Sequence, residues 1–174
     1  MSEEEPKASR RSLLAGVVSA SACALGIAVV APVVVFVGAP AGAAPRGKER
    51  WIRTVRLESL AVGKPVLVNL VGEDTDAWTT SKAVDLGSAW LVRTGPGEVR
   101  ALSSTCPHLG CAVRADGEGF TCPCHTSAFT GEGKRKEGPA PRDLDALAVR
   151  IDGPWVEVDF KRFRTGVAEK VQVG

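Results

Sequence analysis

Residues 106–127 read CPHLGCAVRADGEGFTCPCHTS, and this stretch decides how the chain is interpreted. The chain contains five cysteines and two histidines, and all but one of the cysteines and both histidines lie in it. As a pattern it is C-x-H-x-x-C, a spacer at 112–121, and then C-x-C-H. Thiolate and imidazole groups concentrated in this way call for a chemical explanation, and metal binding is the first to consider.

Two kinds of metal centre compete for these side chains. Structural zinc usually takes pairs spaced C-x2-4-C or H-x3-5-H, and the one-residue gap between Cys106 and His108 fits that spacing poorly. A bare redox dithiol fits less well, because it leaves both histidines unexplained. A metal centre that takes cysteine and histidine from each segment is the better interpretation. A zinc-stabilised interaction module is kept as an alternative.

The two segments resemble the boxes of the Rieske iron-sulfur family, C-x-H-x-G-C and C-x-C-H-x-S, at every defining position. The resemblance implies one [2Fe-2S] cluster with mixed cysteine and histidine ligation. The implied ligands are Cys106 and Cys122 on the buried iron and His108 and His125 on the outer iron.

The same resemblance implies roles for further positions. Cys111 and Cys124 correspond to a disulfide that joins the two segments. Ser127 matches a serine whose hydroxyl donates to a bridging sulfide and raises the potential, and Leu109 matches an apolar residue that shields the cluster near a quinol pocket. Residues 138–144, GPAPRDL, look like the family's proline-rich loop over the cluster.

Mixed ligation has a redox consequence. Two neutral imidazoles in place of two thiolates leave the oxidised site neutral and the reduced site with one negative charge. Such clusters have potentials of about −150 to +300 mV, against about −400 mV for plant-type clusters ligated by cysteine alone. Imidazole N–H groups can also titrate, so electron and proton transfer can be coupled. His108 and His125 are therefore the candidate catalytic residues for quinol oxidation.

Two positions depart from the family pattern. Phe129 stands where many high-potential members have a tyrosine that donates to a ligand sulfur, and the chain has no tyrosine. We therefore expect a lower potential, which would suit a quinol such as menaquinol. Thr126 replaces the usual glycine, and the sequence does not show what this changes.

The N-terminal segment is apolar and long. No charged side chain occurs from Leu13 to Val37, and at about 1.5 Å per residue such a helix covers a bilayer core of roughly 30 Å. Arg10 and Arg11 precede it in a pattern similar to the twin-arginine export signal, and they also favour a cytoplasmic N-terminus. Because the segment is longer than a removable signal's apolar region, we expect a retained anchor, with cleavage near Ala43 as the alternative.

The chain is expected to have four parts. These are a cytoplasmic N-terminus with the twin-arginine signal (1–12), a transmembrane anchor (13–37), a flexible Gly/Ala/Pro-rich hinge (38–50) and a Rieske domain (51–174) with its cluster-binding part at about 103–144.

The Rieske domain is predicted to be mainly β, an antiparallel sandwich with a small cluster-binding subdomain. Short β-type segments separated by Gly, Pro, Asp and Asn support this, with apolar alternation clearest near the C-terminus. The predicted strands are Trp51–Leu57, Val66–Val71, Ala89–Arg93, Val99–Ser103, Leu147–Ile151 and Trp155–Phe160.

Both disulfide cysteines together with an anchor point to the iron-sulfur subunit of a bacterial cytochrome bc or b6f-type complex. We expect it to take an electron and a proton from quinol beside cytochrome b and to reduce a c-type cytochrome. It would belong to a quinol–cytochrome c reductase, without activity alone, because it has no CxxCH haem site. The complex would be dimeric, in the bacterial inner membrane, with the Rieske domain on the periplasmic side.

An alternative is the Rieske subunit of a molybdenum oxidase such as arsenite oxidase, which also keeps the disulfide and whose signal is often cleaved. The formal net charge of +2, with scattered basic residues and few aromatic ones, does not indicate a nucleic-acid partner.

Overall fold

The computed structural model describes residues 9–38, 49–75 and 79–173. The chain divides into two compact units, Met1–Ala43 and Ala44–Gly174. Residues 1–8 of the predicted N-terminus (1–12) and residues 39–48 of the predicted hinge (38–50) lie outside the described residues.

The described part of the first unit is one helix, α1 (Arg10–Gly38). Ser9 begins it, because the Ser9 carbonyl accepts from the Leu13 N–H at 3.1 Å and its side-chain oxygen accepts from the Ser12 N–H at 3.3 Å. The helix has a mean hydropathy of 2.5 and exposes its apolar side chains. Its 29 residues extend about 43 Å, enough to cross a hydrocarbon core of about 30 Å. By length and composition it is a candidate membrane span, as predicted.

The second unit is mainly β, as predicted. Its described residues form twelve strands and one 3-10 turn (Leu57–Ser59). The strands are β1 (Trp51–Arg56), β2 (Pro65–Thr75), β3 (Thr80–Gly95), β4 (Glu98–Ser103), β5 (Arg114–Asp116), β6 (Gly119–Thr121), β7 (Ala128–Phe129), β8 (Arg135–Glu137), β9 (Ala146–Asp152), β10 (Trp155–Asp159), β11 (Arg162–Phe163) and β12 (Gln172–Val173).

Six strands make an antiparallel sheet in the order β1-β10-β9-β4-β3-β2. Strand β9 pairs with β4 only at Ala146 and Leu147, and from Ala148 onward it pairs with β10. The two terminal strands of this order, β1 and β2, lie against each other. A Cβ placed on Gly72 of β2 would be 3.5 Å from a side-chain carbon of Ile52 in β1. The sheet is therefore nearly closed and resembles a β-sandwich, which confirms the predicted fold class.

Apolar side chains that alternate with exposed ones along the strands fill the interior of this sandwich. In β2, Val68 and Leu70 are buried while Leu67 and Val71 are about half exposed, as the period of two requires. The sandwich core consists of Ile52, Leu60, Val68, Leu70, Leu86, Ala89, Leu91, Ala101, Leu147, Val156 and Val158.

The opposite face of β3 and β4 supports a small subdomain, residues 104–145, whose strands β5 to β8 form a four-stranded sheet. Trp90 of β3 packs against Phe120 with ring centroids 5.6 Å apart, and its indole N–H donates to the Val113 carbonyl at 3.2 Å. The subdomain core consists of Val92, Leu102, Cys106, Val113, Phe120, Cys122, Phe129, Ala140 and Leu144.

A strand lies at each of the six predicted positions, but β2 and β3 are longer than predicted. The outer halves of these two strands pair with each other, from Val71 opposite Asp85 to Thr75 opposite Thr80. Polar residues and glycine interrupt the apolar alternation there. The short strands β5 to β8 were not predicted, because two or three residues are too few for a periodic signal.

Candidate metal centre

The first box is a closed turn between β4 and β5. The Cys106 N–H donates to the Cys111 carbonyl at 2.8 Å, and the Gly110 N–H donates to the Cys106 carbonyl at 3.0 Å. Gly110 has φ +84°, a conformation that glycine adopts without steric cost. These bonds fix both ends of the turn that carries His108.

The second box is closed in a related way between β6 and β7. The Cys122 N–H donates to the Ser127 carbonyl at 2.8 Å, and the Thr126 N–H donates to the Cys122 carbonyl at 3.1 Å. Thr126 has φ +57° and is the one non-glycine residue with positive φ among those described. The structure thus explains what the sequence left open, since this position needs a left-handed backbone and glycine would adopt it freely.

A disulfide joins the two turns. Cys111 and Cys124 are bonded, with Cα atoms 6.5 Å apart, and this confirms the predicted pairing. Cys106 and Cys122 are the free cysteines of the second unit's described residues, and both are buried. The sulfurs of Cys111, Cys122 and Cys124 lie within 4.8 Å of one another. Because two of these are in the disulfide, they do not form a three-thiolate metal site.

The two buried thiols lie beside each other. Burial raises the pKa of the Cys106 thiol, a hydrogen bond from the His108 backbone N–H lowers it, and the adjacent Cys122 thiol raises it. A pair of buried thiols is suited to a cation that replaces their protons, since the thiolate is the form that ligates metals.

The two histidines also meet at this site. The rings of His108 and His125 have centroids 4.7 Å apart and are nearly perpendicular, at 88°. Nδ1 of His108 is buried and makes no hydrogen bond with the described residues. A buried ring nitrogen without a partner is costly, and coordination to iron would satisfy it. The donor set, two thiols and two imidazoles, therefore fits the predicted cluster.

The proline-rich loop packs against the second box through Ser127. The buried Ser127 hydroxyl oxygen accepts from the Ala140 N–H at 3.1 Å, and the hydroxyl hydrogen-bonds the Cys106 sulfur, which lowers the pKa of that thiol. Gly138 lies so close to the Ser127 backbone that a Cβ would clash, which explains a glycine with φ +88° there. Ser127 therefore lies at the predicted site, beside a candidate ligand sulfur.

The remaining predicted residue, Leu109, lies next to His108 and is 62% exposed. His125 is also exposed, whereas the two candidate cysteine ligands are buried. The site thus has a buried thiol side and an accessible imidazole side.

Sequence reasoning missed one group of residues at this site, the ion pair of Arg142 and Asp145 and the C-terminal segment that it contacts. The spacing of three residues between Arg142 and Asp145 is a recognised signal only on a helix, and here it occurs in a loop. The structure alone identifies these residues.

Comparisons of the sequence with known proteins identify a family. The Rieske [2Fe-2S] domain family matches residues 50–149. The iron-sulfur subunit of the cytochrome b6-f complex from Synechococcus sp. (strain JA-2-3B'a(2-13)) is 32% identical, over 91% of this chain and 94% of that protein. The corresponding subunit from Gloeobacter violaceus is 30% identical, over 91% of this chain and 89% of that protein.

One solved structure is similar to this chain in sequence over about half of its length. The plasma membrane Rieske protein of Synechocystis PCC 6803 is 30% identical and has a TM-score of 0.38, over 49% of this chain and 82% of that chain.

Three findings define the class of protein. These are the antiparallel sandwich, the disulfide between two turns that carry cysteine and histidine, and a family match over more than half of the chain. The chain belongs to the Rieske [2Fe-2S] family. It carries one Rieske-type [2Fe-2S] cluster and has a role in electron transport.

Proposed function

We propose that the chain is the electron-transfer subunit of a bacterial quinol:cytochrome c oxidoreductase of the bc or b6f type. It takes an electron and a proton from quinol and passes the electron to a c-type cytochrome. The observation that carries the proposal is the contact of His108 with His125 at the accessible side of the site. Similarity to cytochrome b6-f iron-sulfur subunits over 91% of the chain supports it.

We assign the ligands as Cys106, Cys122, His108 and His125. When bound, the cluster supplies a one-electron acceptor whose reduction adds negative charge beside the imidazoles. A more negative neighbour raises the pKa of a histidine, so a proton can be taken up at the imidazole as the electron arrives. Exposed His125 presents this proton acceptor to the partner, and exposed Leu109 provides an apolar contact beside it.

The chain supplies one half of the reaction site and has no quinol oxidation activity alone. Its partners are proposed to be a cytochrome b, which holds the quinol beside the histidines, and a c-type cytochrome, in a dimeric multi-subunit complex. Helix α1 would be a single-pass anchor in the bacterial inner membrane, with the Rieske domain (51–174) on the periplasmic side. Residues 38–50 would act as the hinge between anchor and domain, after export by the twin-arginine route.

We further propose that the quinol is of low potential, as menaquinol is. Phe129 is 1% exposed and belongs to the same core as both cysteines, so no hydroxyl is available from this ring. Phe129→Tyr would introduce a donor near the ligand sulfurs and stabilise the reduced, more negative cluster. We expect the midpoint potential of this variant to rise. An unchanged or lower midpoint would contradict this assignment of Phe129.

The test of the function is EPR spectroscopy of dithionite-reduced membranes that contain the full chain, with redox titrations at several pH values. We expect a Rieske-type spectrum and a midpoint that falls as pH rises, approaching about 59 mV per pH unit for one proton and one electron. A titration without pH dependence would argue against coupled proton transfer. A colourless purified protein that contains zinc would instead indicate a structural zinc site.

A further inference from the structure

The C-terminal segment of the chain lies directly against the first box. Residues 162–173, here named the C-terminal hairpin, include β11 and β12, which pair antiparallel. The Gly166 N–H donates to the Pro107 carbonyl at 2.8 Å. A Cβ placed on Gly166 would be 3.7 Å from the carbonyl oxygen of His108. The hairpin therefore hydrogen-bonds the peptide group that links Pro107 to His108, and Gly166 lies close to the carbonyl of His108 itself.

One arginine connects this hairpin to the proline-rich loop. Arg142 donates from Nε and Nη2 to the two carboxylate oxygens of Asp145, at 3.0 and 2.8 Å. It also donates from Nη1 to the Val167 carbonyl at 2.6 Å and from Nη2 to the Arg164 carbonyl at 2.9 Å. The two carbonyls flank Gly166 in the sequence, so the guanidinium holds the part of the hairpin that contacts the first box.

The contact of Arg142 with Asp145 and the hairpin carbonyls is buried and requires a specific donor geometry. The side chains of Arg142 and Asp145 are only 9% and 6% exposed. A planar guanidinium can satisfy a carboxylate and two carbonyls at once, which a lysine ammonium cannot do in the same geometry. Loss of one partner would leave the other charge buried and unpaired, and would leave both hairpin carbonyls without their donor.

We propose that Arg142 is a positioning residue for the His108 turn. It clamps the C-terminal hairpin against Pro107 and thereby fixes the orientation of the His108 imidazole toward the cluster. The inference rests on the proposed ligand role of His108. His125, on the second box, lies outside the clamp's direct contacts with the hairpin, so the clamp acts on one of the two histidines.

The chain offers a matched control. Arg150 also donates from Nε and Nη2 to one carboxylate, that of Glu157, at 2.9 and 2.7 Å. This pair links β9 and β10 of the sandwich, and its arginine is 52% exposed. Arg150→Met removes a guanidinium and an ion pair just as Arg142→Met does, but at a sandwich position.

The experiment measures the ¹⁵N couplings of the two histidines by pulsed EPR in the full-length, cluster-loaded protein. We expect Arg142→Met to shift one of the two histidine couplings and leave the other at its wild-type value, and Arg150→Met to leave both unchanged. In Arg142→Lys, the shifted coupling should return only part of the way to its wild-type value. Unchanged couplings in Arg142→Met, equal shifts of both, or full rescue by lysine would overturn the clamp.

A second measurement does not depend on the cluster. Hydrogen exchange of the Gly166 amide should be faster in Arg142→Met by about a hundredfold to a few thousandfold, as the loss of one partner of a buried ion pair implies. An unchanged exchange rate would overturn the clamp whatever the EPR result. A wild-type chain without a Rieske spectrum would instead refute the proposed function, so the two failures are distinguishable.

Discussion

The sandwich and the small subdomain are built in different ways. The sandwich has strands of up to 16 residues, and the fully buried core residues among those described are aliphatic. The subdomain, residues 104–145, has strands of two or three residues, and its core includes the candidate ligands Cys106 and Cys122. Hydrophobic burial along long strands holds the first together, whereas the second combines an apolar core with turns that a disulfide cross-links. Stability and redox chemistry should therefore be separable by mutation.

The largest expected effect is on the cluster alone. Cys122→Ser removes a proposed ligand from the buried thiol side, so we expect complete loss of the Rieske EPR signal. The sandwich should stay folded, because none of its core residues is changed, and far-UV circular dichroism should retain its β signature. Cys23→Ser, at the exposed free cysteine of α1, is the control and should keep the full signal. A surviving signal in Cys122→Ser would refute the ligand assignment.

A substitution in the sandwich core should lower the stability of the domain and leave the cluster unchanged. Leu70 is fully buried, and Leu70→Ala should lower the free energy of unfolding by about 2–5 kcal/mol through lost transfer energy and a cavity. The EPR spectrum of the protein that remains folded should not change. Leu67→Ala, on the same strand but 48% exposed, is the control and should cost less. A changed EPR spectrum in Leu70→Ala would show that the two regions are coupled.

The sequence predicted the two regions unequally, for a physical reason. The six sandwich strands were predicted because each is a run of β-type residues bounded by Gly, Pro, Asp or Asn. Apolar alternation added to this near the C-terminus, where Val156 and Val158 alternate with Glu157 and Asp159. The short subdomain strands carry no such period. Their backbone is set by turns and by the disulfide, and only the spacing of cysteines and histidines, read through a family resemblance, indicated them.

Long-range contacts were the other part that the sequence could not supply. The Arg142 clamp brings together a loop residue and carbonyls from Arg164 and Val167, and carbonyls belong to every residue type. Nothing in the sequence distinguishes this arginine from the exposed ones. By contrast, the family resemblance implied roles for Cys111 and Ser127 from their positions in the boxes. The structure confirms the disulfide of Cys111, and the role of Ser127 stays a prediction.

The disulfide should matter to the subdomain more than to the sandwich. Cys111→Ser removes a cross-link between residues 13 apart in sequence, which is worth about 3 kcal/mol for a loop near that length. We expect faster cluster loss and faster hydrogen exchange at the Cys106 and Cys122 amides, with sandwich amides unaffected. The double variant Cys111→Ser/Cys124→Ser should match the single one, because the two cysteines act as one unit. A global fall in protection would show that the cross-link supports both regions.

The smallest expected effect is a stabilisation of the subdomain. Thr126 has φ +57°, and a β-branched residue in the left-handed region costs about 1–2 kcal/mol. Thr126→Gly relieves this cost but gains backbone freedom in the unfolded chain, which offsets about 0.4–1 kcal/mol. We therefore expect a net stabilisation of about 0.5–1 kcal/mol, measured as slower exchange of the Cys122 amide.

Thr121→Gly is the matched control for this effect. Thr121 lies on β6 and is not among the positive-φ residues, so glycine there should destabilise the subdomain by about 0.5–1 kcal/mol. Opposite signs for the same chemical change, five residues apart, would locate the strain in the turn next to His125. The same sign at both positions would mean that Thr126 is not strained, and that its hydroxyl, which donates to the His125 carbonyl at 2.8 Å, outweighs the backbone cost.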